Sequence, residues 1–258
     1  MICEGLIRDR LEQKDVKIKI FDVIDSTNSE AKRMVLLNAE QGEHVRALIV
    51  AREQTLGRGR MGRDFFSRAG GIYMSLVYAT DAPIGDAVSI TTAAAAVVAQ
   101  AIEDVSGAPM RIKWVNDIYN DKGKVSGILT EAVALGGKTA IIVGVGINIG
   151  EVDFPEELSG IASSVGEIDG KESLLIAKIA DGLLRCADAP LDRSYMVEYR
   201  KRFMLDGKSV DLIRGGERVC GGVVVGVNDD GGLLLLPDKE ADVITVQSGE
   251  ISVREAKR

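Results

Sequence analysis

Three apolar segments follow one another closely between residues 110 and 149, and they constrain the fold more than any other part of the chain. Residues 110–119, 124–133 and 138–149 are rich in Val and Ile, which is typical of strands. Only short turns containing Gly and Asp separate them. Because such turns join antiparallel neighbours, the segments predict a mixed or antiparallel sheet with helices on one face.

The rest of the first two thirds of the chain alternates between strand and helix. Apolar residues that alternate with charged ones predict a strand at residues 16–24, and further strands are predicted at residues 46–53 and 71–79. The tetrapeptide DSTN, residues 25–28, offers N-cap side chains for a helix that ends near Leu37. Further helices are predicted at residues 91–105, 172–187 and 192–203. Residues 1–206 therefore predict an α+β domain.

Beyond Asp206 the pattern changes to short and evenly spaced strands. They are predicted at residues 209–213, 219–227, 233–236 and 243–246. The turns between them are rich in Gly, Asp, Asn and Pro. Such spacing is typical of a small barrel, so we predict a second domain at residues 207–258.

Arginine is concentrated in one stretch of an otherwise acidic chain. The net charge of the whole chain is −7, whereas residues 52–68 hold five arginines against Glu53 and Asp64. A general nucleic-acid binder is expected to be basic overall. The local excess of positive charge therefore favours a small anionic ligand over a long polyanion.

Cysteine and histidine are scarce. Cys3, Cys186 and Cys220 show no CxxC spacing, which indicates reduced thiols rather than disulfides or zinc ligands. His44 is the only histidine, which disfavours a His-based metal site and a Ser-His-Asp triad. The N-terminus lacks the apolar core of a signal peptide, and the longest apolar run, residues 90–102, is shorter than a membrane span. We expect a cytoplasmic protein without a membrane segment.

The arginine-rich stretch TLGRGRMGRDFFS, residues 55–67, follows a predicted strand. Glycines allow backbone N–H groups to turn towards an anion, and arginines supply bidentate donors that fit phosphate oxygens. A solvated mobile loop and an RNA-binding Arg-Gly segment explain the same residues. The stretch alone leaves the three interpretations open.

A second motif, RIKWVNDIYNDKGKVSGILTE, covers residues 111–131. Lys113, Asn116 and Asp117 lie at the end of one predicted strand, and Lys124 begins the next across a hairpin. A lysine here can neutralise a carboxylate or phosphate, and an asparagine offers a donor and an acceptor to a ligand ring. A solvated hairpin is the alternative.

A third motif, GVGINIG, covers residues 144–150. Gly144 and Gly146 interrupt an apolar strand, and Asn148 follows as a lone polar residue. Glycine weakens a strand unless a ligand or another backbone approaches closely, so the motif indicates either a binding surface or a bulge.

Together these motifs resemble those of the biotin protein ligases. The ordered matches are DSTN, EQTLGRGRMGRDFFS, KWVND, GKVSGIL, GVGINI, GGLLLL and SGEISVR. They cover nearly the whole chain in the family's order and spacing. The resemblance implies a catalytic domain like that of class II aminoacyl-tRNA synthetases, residues 1–206, and a small SH3-like β-barrel, residues 207–258.

The resemblance also implies two sets of binding residues. Those for biotin would be Ser26, Thr27, Gln54, Gly57, Arg58, Lys124, Gly127, Leu129, Gly144 and Gly146. Those for the nucleotide would be Arg60, Arg63, Phe65, Asn116, Asn148 and Arg254. Lys124 and Arg60 would act in catalysis, and Asp117 would either orient Lys124 or accept a proton from an incoming lysine.

The implied enzyme is a biotin–[biotin carboxyl carrier protein] ligase. Biotin and Mg-ATP would form biotinyl-AMP and pyrophosphate, and a lysine of a biotin carboxyl carrier protein or domain would then take the biotin. The glycine-rich residues 57–62 are expected to be mobile without ligand and ordered by biotinyl-AMP. No residues for Mg²⁺ can be assigned, and family members often form homodimers.

Two residues depart from the family's usual motifs. Phe65 stands where Trp is usual; its smaller ring can still stack on adenine, which predicts a lower nucleotide affinity. Val115 stands where Pro is usual in KWPND, which changes only the local turn.

Other functions compete with this interpretation. A lipoate or octanoate ligase or transferase would share the scaffold, but GRGRMGR together with DSTN favours biotin. A non-enzymatic RNA-binding module is disfavoured by the acidic tail and by the lack of aromatic residues among basic ones. Too few residues precede the first predicted strand for the N-terminal winged helix of ligases that act as repressors, so a short form without DNA binding is expected.

Overall fold

The computed structural model describes most of the chain, namely residues 1–40, 45–80, 87–135, 138–247 and 251–255. His44 lies outside the described residues, and so do the first three residues of SGEISVR. The described residues form two sheets and five α-helices.

The first sheet has seven strands, in the order β1-β2-β3-β7-β6-β5-β4. They are β1 (Lys17–Ile24), β2 (Ala47–Gln54), β3 (Ile72–Thr80), β4 (Arg111–Lys113), β5 (Asp117–Tyr119), β6 (Lys124–Leu135) and β7 (Lys138–Ile147). Strands β1 and β2 pair in parallel, and the other neighbours pair antiparallel. The prediction of a mixed sheet is confirmed.

One strand prediction was wrong, because residues 110–119 form two short strands instead of one. The chain reverses at residues 114–116, so that Arg111 pairs with Tyr119. This reversal contains no Gly or Pro, the residues that usually mark a turn. Trp114 and Val115 are buried there, so tertiary packing holds the turn. The peptide bond between these two residues is cis.

Five α-helices are described, and they cover both faces of the first sheet. They are α1 (Glu4–Arg10), α2 (Thr27–Glu40), α3 (Ala87–Ser106), α4 (Glu172–Asp188) and α5 (Tyr195–Arg202). Helices α1, α3, α4 and α5 contribute to one hydrophobic cluster, whereas Ala31, Met34 and Val35 of α2 form a second cluster with Ile49 and Ile142. The prediction of helices on one face was therefore wrong.

Helix α3 is the most apolar helix of the fold. By length and composition Val88–Ser106 is the one segment among the described residues that could cross a membrane, and 67% of its most apolar stretch is buried within the protein. Small side chains let α4 approach it closely, since a Cβ on Gly182 would lie 2.5 Å from Val97. Burial of this kind is what the central helix of a packed fold requires.

The second sheet has five antiparallel strands, in the order β11-β10-β9-β8-β12. They are β8 (Ser209–Arg214), β9 (Glu217–Val227), β10 (Leu233–Pro237), β11 (Ile244–Val246) and β12 (Ile251–Glu255). No pairing between β11 and β12 is found in the described part of the chain, so this sheet is open there. The SH3-like barrel predicted from the sequence stays a prediction.

Buried contacts join the two sheets. The indole Nε1 of Trp114 donates a hydrogen bond to the carbonyl of Gly231 at 2.9 Å, and Arg200 Nε donates to the carbonyl of Val227 at 3.1 Å. Leu233 and Leu235 belong to the same hydrophobic cluster as the first sheet. The domain boundary predicted at residue 206 stays a prediction.

Candidate active site

A pocket opens on the face of the first sheet that carries α2. Strand residues on this face include Ile142, which packs against α2, and Gly144 and Gly146, which follow it at alternate positions along β7. The pocket encloses about 460 Å³, open solvent at its mouth included. It lies between the first turn of α2, the end of β2, the arginine-rich loop and strands β6 and β7.

One end of the pocket is polar because two neighbouring parallel strands end there. Strand β1 leads into Ser26 and Thr27, which are 2% and 4% exposed, and β2 ends at Gln54. The backbone N–H of Thr27 donates to Gln54 Oε1 at 2.8 Å, and Gln54 Nε2 donates to Ser67 Oγ at 3.0 Å. These bonds fix the orientation of the Gln54 amide.

An ion pair fixes the chain where it enters α2. Arg33 donates to both carboxylate oxygens of Asp25, at 2.9 and 2.8 Å. The hydrogen bond from Arg33 is the main cause that lowers the pKa of Asp25 from 3.8 to about 2. Asp25 therefore stays ionised at neutral pH and anchors the segment just before Ser26.

The arginine-rich loop folds into a short hairpin over the pocket. Gly59 N donates to the carbonyl of Arg63 at 2.7 Å, and Phe65 N donates to the carbonyl of Gly57 at 3.0 Å. Only glycine fits at position 57, since a Cβ there would lie 2.3 Å from the carbonyl oxygen of Phe65. The turn also needs positive φ angles at Met61 and Gly62.

Three glycines form the floor of the pocket. A Cβ on Gly144 would lie 2.1 Å from Asn28 Oδ1, and a Cβ on Gly146 would lie 2.5 Å from the ring of Phe65. A Cβ on Gly127 would also meet that ring, at 3.0 Å. The absent side chains thus allow Asn28 and Phe65 to lie against the backbone of β6 and β7.

Two cations lie at the other end of the pocket. Lys124 Nζ forms an ion pair with Asp117 Oδ1 at 2.7 Å and lies 5.8 Å from the centroid of the Phe65 ring. Arg60 donates to Asn116 Oδ1 at 3.1 Å, and Asn116 Nδ2 donates to the carbonyl of Ile128 at 2.9 Å. Burial is the main cause that lowers the pKa of Arg60 below its ordinary value. A guanidinium that has lost part of its hydration is well placed to bind an anion.

A second and more open pocket continues from these cations. The two pockets share a wall made of Gly59, Arg60, Phe65, Asn116 and Lys124. The second pocket adds Arg63, Asp117 and, from β12 of the second sheet, Arg254. Both sheets therefore contribute cationic side chains to it.

The sequence pattern of the biotin/lipoate A/B protein ligase family matches residues 20–148, half of the chain. The chain belongs to this family. The matched segment begins within β1 and ends just after β7, so all seven of its strands belong to the first sheet. Every residue that lines the first pocket lies within this segment.

Relatives in the family extend the match beyond that segment. The bifunctional ligase/repressor BirA of Bacillus spizizenii is 37% identical over 225 residues, which cover 83% of this chain and 67% of the relative. The biotin–[acetyl-CoA-carboxylase] ligase of Mycobacterium tuberculosis is 27% identical, and the match covers 96% of this chain and 94% of the relative. The biotin protein ligase of Aquifex aeolicus, solved in complex with biotin and ATP, has a TM-score of 0.75 and 27% identity over 93% of this chain and 99% of that one.

The structure brings most of the residues predicted from the family motifs together. Of those predicted for biotin, only Gly57 is absent from the first pocket, and it lies in the loop beside it, lining a neighbouring cleft with Phe65. Of those predicted for the nucleotide, Asn148 lies outside both pockets, and its amide donates to the carbonyl of Ser163 at 2.9 Å. Its role stays a prediction that this placement does not support.

Several residues near the family site were not predicted. Asn28 belongs to the DSTN motif, but its position in the pocket wall was not foreseen. Ser75 has no exposed surface and lies behind Thr27, and no local sequence signal marks it. Tyr119 lines the second pocket and belongs to the hairpin whose turn was missed, whereas Lys113, also in that pocket, was named in the second motif without a binding role.

A separate apolar cavity lies on the opposite face of the sheet. It is lined by strands β3 and β7 and helices α3 and α4, with Tyr78, Val143 and Leu183 among its walls. It holds none of the residues predicted from the family motifs. Its walls carry fewer cationic side chains than the walls of the two joined pockets, so we expect an anionic ligand in the joined pockets.

Proposed function

We propose that this chain is a biotin protein ligase that activates biotin with Mg-ATP and transfers it to a lysine of a biotin carboxyl carrier protein or domain. The observation that carries the proposal is the pair of pockets with a shared cationic wall. In the first pocket, polar groups would bind the ureido ring of biotin, and the glycine floor would contact its apolar part. The second offers cations to a nucleotide. Arg60 and Lys124 stand at the junction, where a carboxylate of one ligand must meet a phosphate of the other.

In the first step a carboxylate oxygen of biotin bonds to the α-phosphorus of ATP, and the bond from that phosphorus to the pyrophosphate oxygen breaks. Both reactants are anions, so their repulsion must be neutralised and their atoms aligned. Lys124 and Arg60 would supply that charge. The ion pair of Lys124 with Asp117 supports the orienting role for Asp117, because the carboxylate already holds the ammonium group at 2.7 Å.

In the second step the amine of an acceptor lysine attacks the acyl carbon of biotinyl-AMP. The bond between that carbon and the phosphate oxygen breaks, AMP leaves with the electron pair, and the amine loses a proton. No nucleophilic side chain of the enzyme is needed. The two pockets have only to hold the mixed anhydride and keep water from it.

Magnesium is proposed to arrive with the nucleotide. Among the described residues no group of three or more His, Cys, Asp or Glu side chains could hold a metal ion. Mg²⁺ commonly binds through substrate phosphates and few protein carboxylates, which fits this arrangement. We assign no residue of the chain to the ion.

Other parts of the proposal concern the whole molecule. The three cysteines are free thiols, which supports a cytoplasmic location. We propose that the second sheet forms an SH3-like barrel and that residues 1–206 form the catalytic domain.

The test of the proposed function is biotin-dependent exchange of labelled pyrophosphate into ATP. The expected result is exchange with biotin and none with lipoate in its place. Exchange with lipoate but not with biotin would contradict the proposal and favour the lipoate branch of the family.

A further inference from the structure

A row of polar side chains lies directly beneath the polar end of the first pocket. The buried Ser75 Oγ, on β3, lies 2.7 Å from Thr27 Oγ1 and 2.6 Å from Asn28 Oδ1. Asn28 Nδ2 lies 2.8 Å from Glu131 Oε2, and Lys32 Nζ lies 2.7 Å from Glu131 Oε1. These five residues are called the Ser75 relay below.

The orientation of the Asn28 amide follows from its neighbours. Its Nδ2 faces the carboxylate of Glu131 and, at 3.3 Å, the carbonyl of Leu129, both of which only accept hydrogen bonds. The reverse orientation would place Oδ1 against two oxygens. Oδ1 therefore faces Ser75, the one donor that it contacts among the described residues. Because a serine hydroxyl has a single hydrogen, Ser75 must give it to Asn28.

The hydrogen between Ser75 and Thr27 must then come from Thr27. Gln54 Oε1 lies 3.2 Å from Thr27 Oγ1, but this oxygen already receives the backbone N–H of Thr27 at 2.8 Å. The Thr27 hydroxyl can therefore give its hydrogen to Ser75 without leaving Gln54 unsatisfied. What remains at Thr27 Oγ1 is a lone pair.

Glu131 fixes the direction of the Ser75 relay, in which Thr27 donates to Ser75, Ser75 to Asn28 and Asn28 to Glu131. Burial alone would raise the pKa of Glu131, but the hydrogen bonds from Lys32 and Asn28 outweigh burial, and its pKa is lowered. At neutral pH the side chain is therefore a carboxylate. A charged acceptor strengthens the bond from Asn28 and polarises the bonds behind it.

We infer that Ser75, Asn28 and Glu131 are positioning residues that make the hydroxyl of Thr27 a hydrogen-bond acceptor towards the bound ring. The inference rests on the proposed function, in which the ureido ring of biotin occupies the polar end of the pocket. A ureido N–H then donates to Thr27. The second hydrogen of Gln54 Nε2 and the hydroxyl of Ser26 remain to donate to the ureido oxygen. The Ser75 relay thereby selects a ring N–H over a ring oxygen.

The test uses two cyclic carbamate analogues of biotin, in each of which one ureido N–H is replaced by oxygen. Pyrophosphate exchange gives kcat/KM, and calorimetry gives Kd, for biotin and both analogues. The variants are Ser75→Ala, Glu131→Gln and the control Ser126→Ala. Ser126 is also a buried serine of this sheet, but its hydroxyl has no hydrogen-bond partner among the described residues.

For one of the two carbamates, the kcat/KM of the wild-type protein should be about 10- to 100-fold lower than for biotin, because the ring oxygen of that analogue would face Thr27 Oγ1 and both are acceptors. The ratio below is this ratio of kcat/KM for biotin to kcat/KM for that carbamate. Ser75→Ala frees the Thr27 hydroxyl to turn its hydrogen to the ring oxygen, so the ratio should fall to about threefold. Glu131→Gln should lower the ratio part of the way, and Ser126→Ala should leave it unchanged.

A purely structural role for Ser75 would lower activity equally for all three ligands, and such a result overturns the inference. If Ser75→Ala does not fold, Glu131→Gln decides, because it keeps the size and shape of the side chain and removes only its charge. An unchanged ratio in that variant also overturns the inference. Absence of biotin-dependent exchange in the wild-type protein would instead overturn the proposed function itself.

Discussion

Single residues divide the site into a part that recognises the ligand and a part that neutralises charge. Thr27 and Gln54 lie at one end, fixed by hydrogen bonds that leave defined donors and acceptors. Arg60 and Lys124 lie at the other end, where Arg60 donates to Asn116 and Lys124 pairs with Asp117. This separation suits a reaction in which the ring head is held still while the carboxylate meets a phosphate.

Arg60→Ala and Lys124→Ala should each impair adenylate formation more than folding. Each change removes a charge-assisted contact, which should cost about 1.5–3 kcal/mol, or roughly 10- to 150-fold in kcat/KM of pyrophosphate exchange. The matched control is Lys122→Ala, because Lys122 is an exposed lysine on the turn that precedes β6. Full exchange activity in both variants would show that the anion site is assigned wrongly.

Asp25→Asn should destabilise the protein at neutral pH and lose that effect in acid. The pKa of Asp25 is lowered to about 2, so its ion pair stabilises the folded state above the ordinary carboxyl pKa. That stabilisation is lost as the pH falls from about 4 towards about 2, where the folded state also takes up the proton. Urea unfolding of both proteins should therefore show a difference at neutral pH that shrinks below about pH 4. A difference that persists in acid would point to packing of the side chain instead.

Among the elements, the positions of most strands could be predicted from the sequence, but the way in which the elements pack together could not. Apolar and β-branched residues placed β2, β3 and β6 within two residues of their observed ends. The β4–β5 turn was missed because buried Trp114 and Val115 hold it without a local turn signal. Helix α1 was not predicted because charges interrupt its few apolar residues. Which face α2 covers depends on contacts with distant strands, which one sequence does not reveal.

The same limit applies to the site. The motifs predicted Thr27, Gln54 and the glycines because each is part of a recognisable local pattern. Ser75 lies in the middle of β3, and no sequence pattern distinguishes it from other polar strand residues. Its contact with Thr27 follows only from the three-dimensional fold. Residues that act by holding others are therefore the ones that sequence patterns miss.

The arginine-rich loop should become resistant to trypsin when biotinyl-AMP binds. Arg58 and Arg63 are exposed, and three backbone hydrogen bonds join residues within the loop. An adenylate beneath the loop would add phosphate contacts to its arginines and slow local opening. Limited proteolysis with and without a non-hydrolysable biotinyl-AMP analogue measures this. Equal cleavage at the loop in both samples would contradict an ordering role.

At the scale of the whole molecule, the second sheet is part of the site as well as of the core. Trp114 hydrogen-bonds to Gly231, and buried leucines of β10 join the hydrophobic cluster of the first sheet. These contacts hold β12 where Arg254 lines the second pocket with Arg63. The nucleotide end of the site therefore depends on how the two sheets are joined, whereas the biotin end is built from the first sheet, the first turn of α2 and the arginine-rich loop.

Arg254→Ala should therefore weaken the use of ATP and leave biotin binding unchanged. Arg254 is exposed, so loss of its contact should cost about 0.5–1.5 kcal/mol, a rise of roughly two- to tenfold in the KM for ATP. Calorimetry with biotin alone should give the wild-type Kd, because Arg254 does not line the first pocket. Arg214→Ala, which removes another exposed arginine of the same sheet outside both pockets, is the control. Equal effects of the two substitutions on the KM for ATP would mean that the tail acts through overall charge, and that the second sheet supplies no specific contact to the nucleotide.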